Sequence, residues 1–194
     1  MSSRLVKTVD HLQNHVLPAL AEYDAAEANL SKAHASGSWD AEAIAAKRKA
    51  AELAVAIDGL TDRVNLELGI PLKEIRSEVS ARCAWPGSTA VRTESFERVH
   101  GVANAYKHLT LDDKRHVITS FDDVLAVGLG YGLDGFGVGK FSGVEVLVKD
   151  KSGNTRKFLG DVPAVLNGWC RYLREKGAAL PNQIHRVLGV DICT

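Results

Sequence analysis

A chain of 194 residues with 45% hydrophobic and 25% charged side chains has the make-up of an ordinary globular protein, long enough to bury a core without staples. Twenty-four Lys and Arg balance twenty-four Asp and Glu, with 15 basic against 16 acidic residues through Ser120, so a global field that gathers nucleic acid is excluded and any such contact must be local. No window approaches the run of about 20 apolar residues that a membrane span requires, and the N-terminus lacks an apolar stretch of signal-peptide length, which predicts a soluble, unexported, cytoplasmic protein.

Over residues 5–30, Val9, Leu12, Val16, Ala19, Tyr23, Ala26 and Leu30 recur at steps of three and four, a heptad seam that predicts a long helix kinked at Pro18. Residues 35–40 read as a hairpin turn with Ser38 or Asp40 as N-cap. A second helix follows with the seam Ala46, Ala50, Leu53, Ile57, Leu60, Val64 and Leu68, and ends at Gly69-Ile70-Pro71. The two seams share a period, so the helices should pack antiparallel, and they also predict a homodimer.

A third helix is expected over residues 72–82 and a fourth over 94–109, separated by the breaker Ala84-Trp85-Pro86-Gly87-Ser88. The character then changes. Residues 122–127 read as a strand, residues 144–148 alternate with period two, and residues 155–159 answer them across Lys151-Ser152-Gly153-Asn154. A last helix over 162–176 should start with Asp161 as N-cap and Pro163 in its first turn, and end at Gly177. The expectation is a mainly α protein: an antiparallel helical bundle over residues 1–118, then a small antiparallel β-sheet inserted before the closing helix over 119–194, packed on the bundle as one α+β domain.

Within the fourth helix, His100, Asn104 and His108 stand at i, i+4 and i+8 and so share one face, with Lys107 close by. They flank an apolar seam of Phe96, Val99, Ala103 and Tyr106. Histidine exchanges protons near neutral pH, asparagine orients a ligand or water, and lysine offsets developing negative charge. The four residues His100, Asn104, Lys107 and His108 are therefore the candidate catalytic set, extended one turn earlier by Arg98 and Glu97. The same polar stripe is also what a helix needs to bond neighbouring loops in a purely structural role.

Residues 128–143 hold seven of the 17 glycines, including a Gly-x-Gly-x-x-Gly match from Gly130 to Gly135. The match runs on into a strand rather than opening a helix, so it is not a dinucleotide fingerprint, and Asp134 and Phe141 exclude a Walker loop. It reads either as a glycine-broken connection or as a flap over the helical site, with Tyr131, Phe136 and Phe141 to stack on a base or ring and Lys140 to meet a phosphate. His11 and His15, at i, i+4, suggest with His100 and His108 an alternative in which a metal sits between helices. Three cysteines, Cys83, Cys170 and Cys193, form an odd count without Cys-x-x-Cys spacing, which argues against a disulfide framework and a thiolate zinc site. No cofactor motif is present.

The run Asn104-Ala105-Tyr106-Lys107-His108 resembles the polar motif of the HEPN superfamily of helical bundles. The resemblance covers about the first 118 residues and implies metal-independent RNA cleavage at a site composed across a homodimer, with His108 as catalytic histidine, Asn104 as its polar partner and Lys107 assisting. The arginine that usually stands four to six residues before the histidine has no counterpart before His108, since Arg98 is ten residues earlier. The expected function is thus a ligand- or RNA-binding bundle with ribonuclease activity, and the competing class is a noncatalytic structural or protein-interaction module, antitoxin-like or phage-associated.

Overall fold

The long N-terminal helix forms, but in three parts. In the computed structural model, which describes residues 5–108, 111, 116–128, 143–180, 185–187 and 190–192, α1 (Val6–His11) passes through a π-helical turn (Leu12–Val16) into α2 (Leu17–Ser36). Pro18 has no N–H for the preceding turn and its ring crowds the carbonyl one turn back, and winding that turn wider absorbs the misfit. The extra residue re-phases the buried face. Thr8, His11, Leu12, Val16, Leu20, Tyr23, Glu27 and Leu30 are buried, whereas the expected seam positions Val9, Ala19 and Ala26 are half-buried.

The second seam holds over six of its seven positions: α3 (Asp40–Leu68) buries Ala46, Ala50, Leu53, Ile57, Leu60 and Val64, and Leu68 at its end is half-buried. Its N-cap is Trp39, without a side-chain cap bond, so neither Ser38 nor Asp40 plays that part. Gly69 closes it with φ 70°, a left-handed conformation that suits glycine at a helix end. The buried positions of both seams pack into the chain's own core.

Next come α4 (Leu72–Ser80) and α5 (Ser95–Lys107). The loop between them is pinned by an isolated bridge from Ala84 to Val91. A 3-10 turn (Phe121–Asp123), opened by a capping box at Ser120, leads into an antiparallel sheet of order β1 (Val124–Gly128), β2 (Val144–Lys149) and β3 (Thr155–Lys157). The β2 strand does not alternate: Val144 through Val148 are all buried, because α2, α3 and α6 pack against it. Glu145 is therefore inside, 3.2 Å from Lys157 Nζ, and the Val146 N–H donates to Glu27 Oε1 at 2.9 Å.

The closing helix α6 (Phe158–Glu175) starts four residues earlier than expected. Phe158 and Leu159 leave the sheet to begin it, so Asp161 is not its N-cap but a fully buried acceptor in the first turn. The short pair β4 (His185–Val187) and β5 (Val190–Ile192) has no counterpart in the sequence reading. One continuous core joins bundle and sheet, running from Tyr23, Leu53 and Ile57 through Val146 to Phe158 and Trp169. Among the described residues no helix is long and apolar enough to cross a membrane. Cys170 is disulfide-bonded, which corrects the argument from cysteine count: an odd number excludes full pairing but not a bridge. Cys83 is free and buried, and burial pushes its thiol up to about 12.

Candidate functional site

The polar stripe of α5 meets α3 at Asp58. Asp58 follows Ile57 of the α3 seam, so it stands at the margin of the core rather than in solvent, with only 6% of its surface exposed. Its Oδ1 accepts a hydrogen bond from His100 Nδ1 at 2.7 Å, and its Oδ2 accepts one from Lys107 Nζ at 2.9 Å. Arg76, from α4, approaches the same carboxylate with Nη2 4.0 Å from Oδ1. On the other side of the ring, the Asn104 amide lies 3.0 Å from His100 Nε2.

These contacts assign the protons. Burial alone would raise the Asp58 pKa, but the hydrogen bonds and charges of His100 and Lys107 outweigh it and bring the carboxyl down to about 2. An ionised carboxylate only accepts, so Nδ1 of His100 carries a hydrogen, and whenever the ring is uncharged Nε2 presents a lone pair to the Asn104 Nδ2–H. A buried carboxylate that fixes the tautomer of a histidine leaves Nε2 as its basic nitrogen, which here is hydrogen-bonded to Asn104.

Two further contacts set the ring. Phe96, one turn earlier in α5, stacks near it with centroids 6.2 Å apart, and the tilted His116 ring has its centroid 6.0 Å away. The segment carrying His116 reaches α5 at Gly101, where a Cβ would stand only 3.0 Å from Ile118 Cγ1. Side-chain exposures of 15% for His100, 34% for Arg76 and 37% for Lys107 show that the site opens to solvent on one side.

His100, Asn104 and Lys107 are thus brought together as the spacing implied, and His108 is not. The α5 helix ends at Lys107, and His108 leaves it with extended backbone (φ −129°, ψ 135°) and an exposed side chain. Arg98 also lies elsewhere. Two residues from His100 on a helix is a different face, and there Arg98 makes a bidentate pair with Asp161 of α6, Nε to Oδ2 at 2.6 Å and Nη2 to Oδ1 at 2.9 Å, beside Ser95 Oγ at 2.8 Å. Tyr106, expected in the apolar seam, is 44% exposed and packs against Phe121. Tyr131, Phe136, Lys140 and Phe141 fall outside the described residues, as does the flap they were expected to form.

Asp58, Arg76 and His116 were not singled out from the sequence. Asp58 carried one usable signal, an acidic residue adjoining a seam position of an otherwise apolar helix stripe; Arg76 and His116 carried none. The four histidines of the metal alternative do not converge: His11 and His15 stack on each other at 4.8 Å, His100 faces Asp58, and His108 is exposed. Among the described residues no group of three or more His, Cys, Asp and Glu is gathered for a metal ion. A groove of about 1030 Å³ lies between α2 and α3, lined by residues such as Ala26, Ala33 and Ala45, and none of the candidate residues enters it.

No protein-family model matches the chain, and neither a curated protein nor a solved structure shows a significant match to it.

Proposed function

We propose that the Asp58–His100 pair is a metal-independent acid–base site that cleaves RNA phosphodiesters. The observation that carries this reading is the 2.7 Å hydrogen bond from His100 Nδ1 to buried Asp58, which fixes Nε2 as the working nitrogen beside two cationic side chains. Displacing the Asn104 amide frees Nε2 to take the proton of a ribose 2′-hydroxyl while its oxygen attacks the adjacent phosphorus. Lys107 and Arg76 offset the charge that builds on the phosphoryl oxygens, and the imidazolium returns the proton to the departing 5′ oxygen. The products are a 2′,3′-cyclic phosphate and a 5′-hydroxyl end. Arg76 also carries a donor suited to an incoming phosphate, since its buried Nε–H makes no hydrogen bond. This reading moves the catalytic role from His108 to His100.

A second reading has its own observation. The Asn104 amide occupies Nε2, and both oxygens of Asp58 are engaged, which is how a polar clasp ties α3, α4 and α5 together in a noncatalytic interaction module. Cleavage of single-stranded RNA by the purified protein in the presence of a chelator separates the two. The proposal expects cyclic-phosphate products, a loss of about 10²- to 10⁴-fold in His100→Gln, and no loss in His108→Ala. Absence of cleavage by the wild-type protein overturns it in favour of the clasp.

A further inference from the structure

His11 ends α1 where the π-helical turn begins, and it is 7% exposed. Its Nε2 is 2.8 Å from the Ala56 carbonyl oxygen of α3. A carbonyl only accepts, so Nε2 carries the hydrogen, and Nδ1 of the neutral ring holds a lone pair that is buried without a hydrogen-bond partner. The ring reaches the α3 backbone because residue 59 is glycine: a Cβ there would stand 3.1 Å from His11 Nε2. Glycine inside a long helix weakens it, so this seat is kept at a cost to α3.

The groups facing the imidazole are His15, stacked on it from the π-helical turn, Arg63 of α3, which donates to the Gly59 carbonyl at 3.3 Å, and Asp10 of α1. At the other end of the same segment, Glu67 of α3 receives the first turn of α1. Its Oε1 accepts from Lys7 N at 2.9 Å, and its Oε2 accepts from Thr8 N at 2.9 Å and from Thr8 Oγ1 at 2.6 Å. Leu5, Leu12 and Val16 are buried beneath.

We propose that residues 5–16 form an acid-released arm, latched onto α3 by uncharged His11 at Gly59, pinned by Glu67, and hinged at the π-helical turn. Protonating His11 places a hydrogen on Nδ1 where no acceptor stands, and a charge beside Arg63 and His15. Burial, then Arg63 and His15, hold the His11 pKa below 6.5 despite the opposing Ala56 bond and Asp10. The docked arm therefore binds fewer protons than the released one. Docking is complete above pH 6.5 and weakens as pH falls below it, by up to tenfold per pH unit until the docked pKa is reached, so by up to about 30-fold at pH 5. Glu67 stays ionised throughout that window, because its pKa is lowered from 4.5 by the bonds from Thr8 and Lys7, which outweigh its partial burial.

The test is hydrogen exchange of the whole protein at pH 7.5 and 5.0, corrected for the pH dependence of intrinsic exchange. Amides of residues 9–16 should lose up to about 30-fold in protection at pH 5.0, while those of α5 and α6 are unchanged. His11→Gln keeps a donor for Ala56 but cannot become charged, and it should abolish the pH response. Glu67→Gln should lower protection of the arm equally at both pH values, and His15→Gln should retain most of the response. An arm whose protection does not change with pH, changes only in step with α6, or still responds in His11→Gln overturns the proposal. Should His11→Gln fail to dock the arm at all, an NMR titration of wild-type His11 decides: a pKa below 6.5 supports the latch, and one at or above 6.5 overturns it.

Discussion

Replacing Asp58 with Asn removes the charge that His100, Lys107 and Arg76 share while keeping the shape of the side chain. The structure sets the size of the effect. A carboxyl brought from 3.8 to about 2 on folding contributes about 2–3 kcal/mol, at roughly 1.4 kcal/mol per pH unit. Because the folded pKa is the lower one, this stability is present in full above pH 3.8 and is lost as pH falls from there through about 2. The partners left behind are 15% to 37% exposed and can regain water, which keeps the cost below the 3–5 kcal/mol or so of stranding a wholly buried charge. Urea unfolding of Asp58→Asn and wild type, followed by far-UV circular dichroism, should give a difference of about 2–3 kcal/mol at pH 7 that shrinks towards zero near pH 2. Equal stabilities at pH 7, or a deficit that persists undiminished to pH 2, would refute the assignment of Asp58 as the ionised centre of the cluster.

Three other outcomes are expected. Arg98→Ala strands Asp161, which is fully buried, with Ser95 and a more distant Arg92 at 3.6 Å, and should cost about 3–5 kcal/mol in chemical unfolding; Arg98→Lys should fall between, because one ammonium cannot replace the two-point pair. Gly168→Ala places a Cβ 3.1 Å from both Cys83 Sγ and the Val79 carbonyl and should cost about 1–3 kcal/mol, since backbone cannot move aside as a side chain can; a thermal melt that rises instead would contradict the α4–α6 approach. His108→Ala, at an exposed position past the end of α5, should change stability by less than about 0.5 kcal/mol in the same melts.

The seam of α3 was legible from its period alone, because Ala46 to Val64 meet one core from one helix face. The seam of the first helix was legible only in part. Pro18 announced an irregularity, but not that a π-helical turn would shift burial from Val9, Ala19 and Ala26 to Thr8, Leu20 and Glu27. The alternation of β2 failed for a different reason: a strand covered on both faces loses its polar side, and nothing local to residues 144–148 says how many elements will cover it. In the site, His100, Asn104 and Lys107 followed from helical spacing, whereas His108 was lost to a helix that stopped two residues sooner than expected, at Lys107.

The amino-acid sequence by itself determined the mainly helical class, the helix hairpin, the β2–β3 pairing and the shared face of His100, Asn104 and Lys107. Each of these rests on relations among residues a few positions apart, where period and turn chemistry act. Tertiary structure decided which of these polar groups meet a partner. Asp58 lies 42 residues from His100, Asp161 lies 63 from Arg98, and Ala56 lies 45 from His11. Contacts of that separation depend on how whole helices dock, and docking follows from burying apolar faces across the entire core rather than from the polar residues that the docking happens to join.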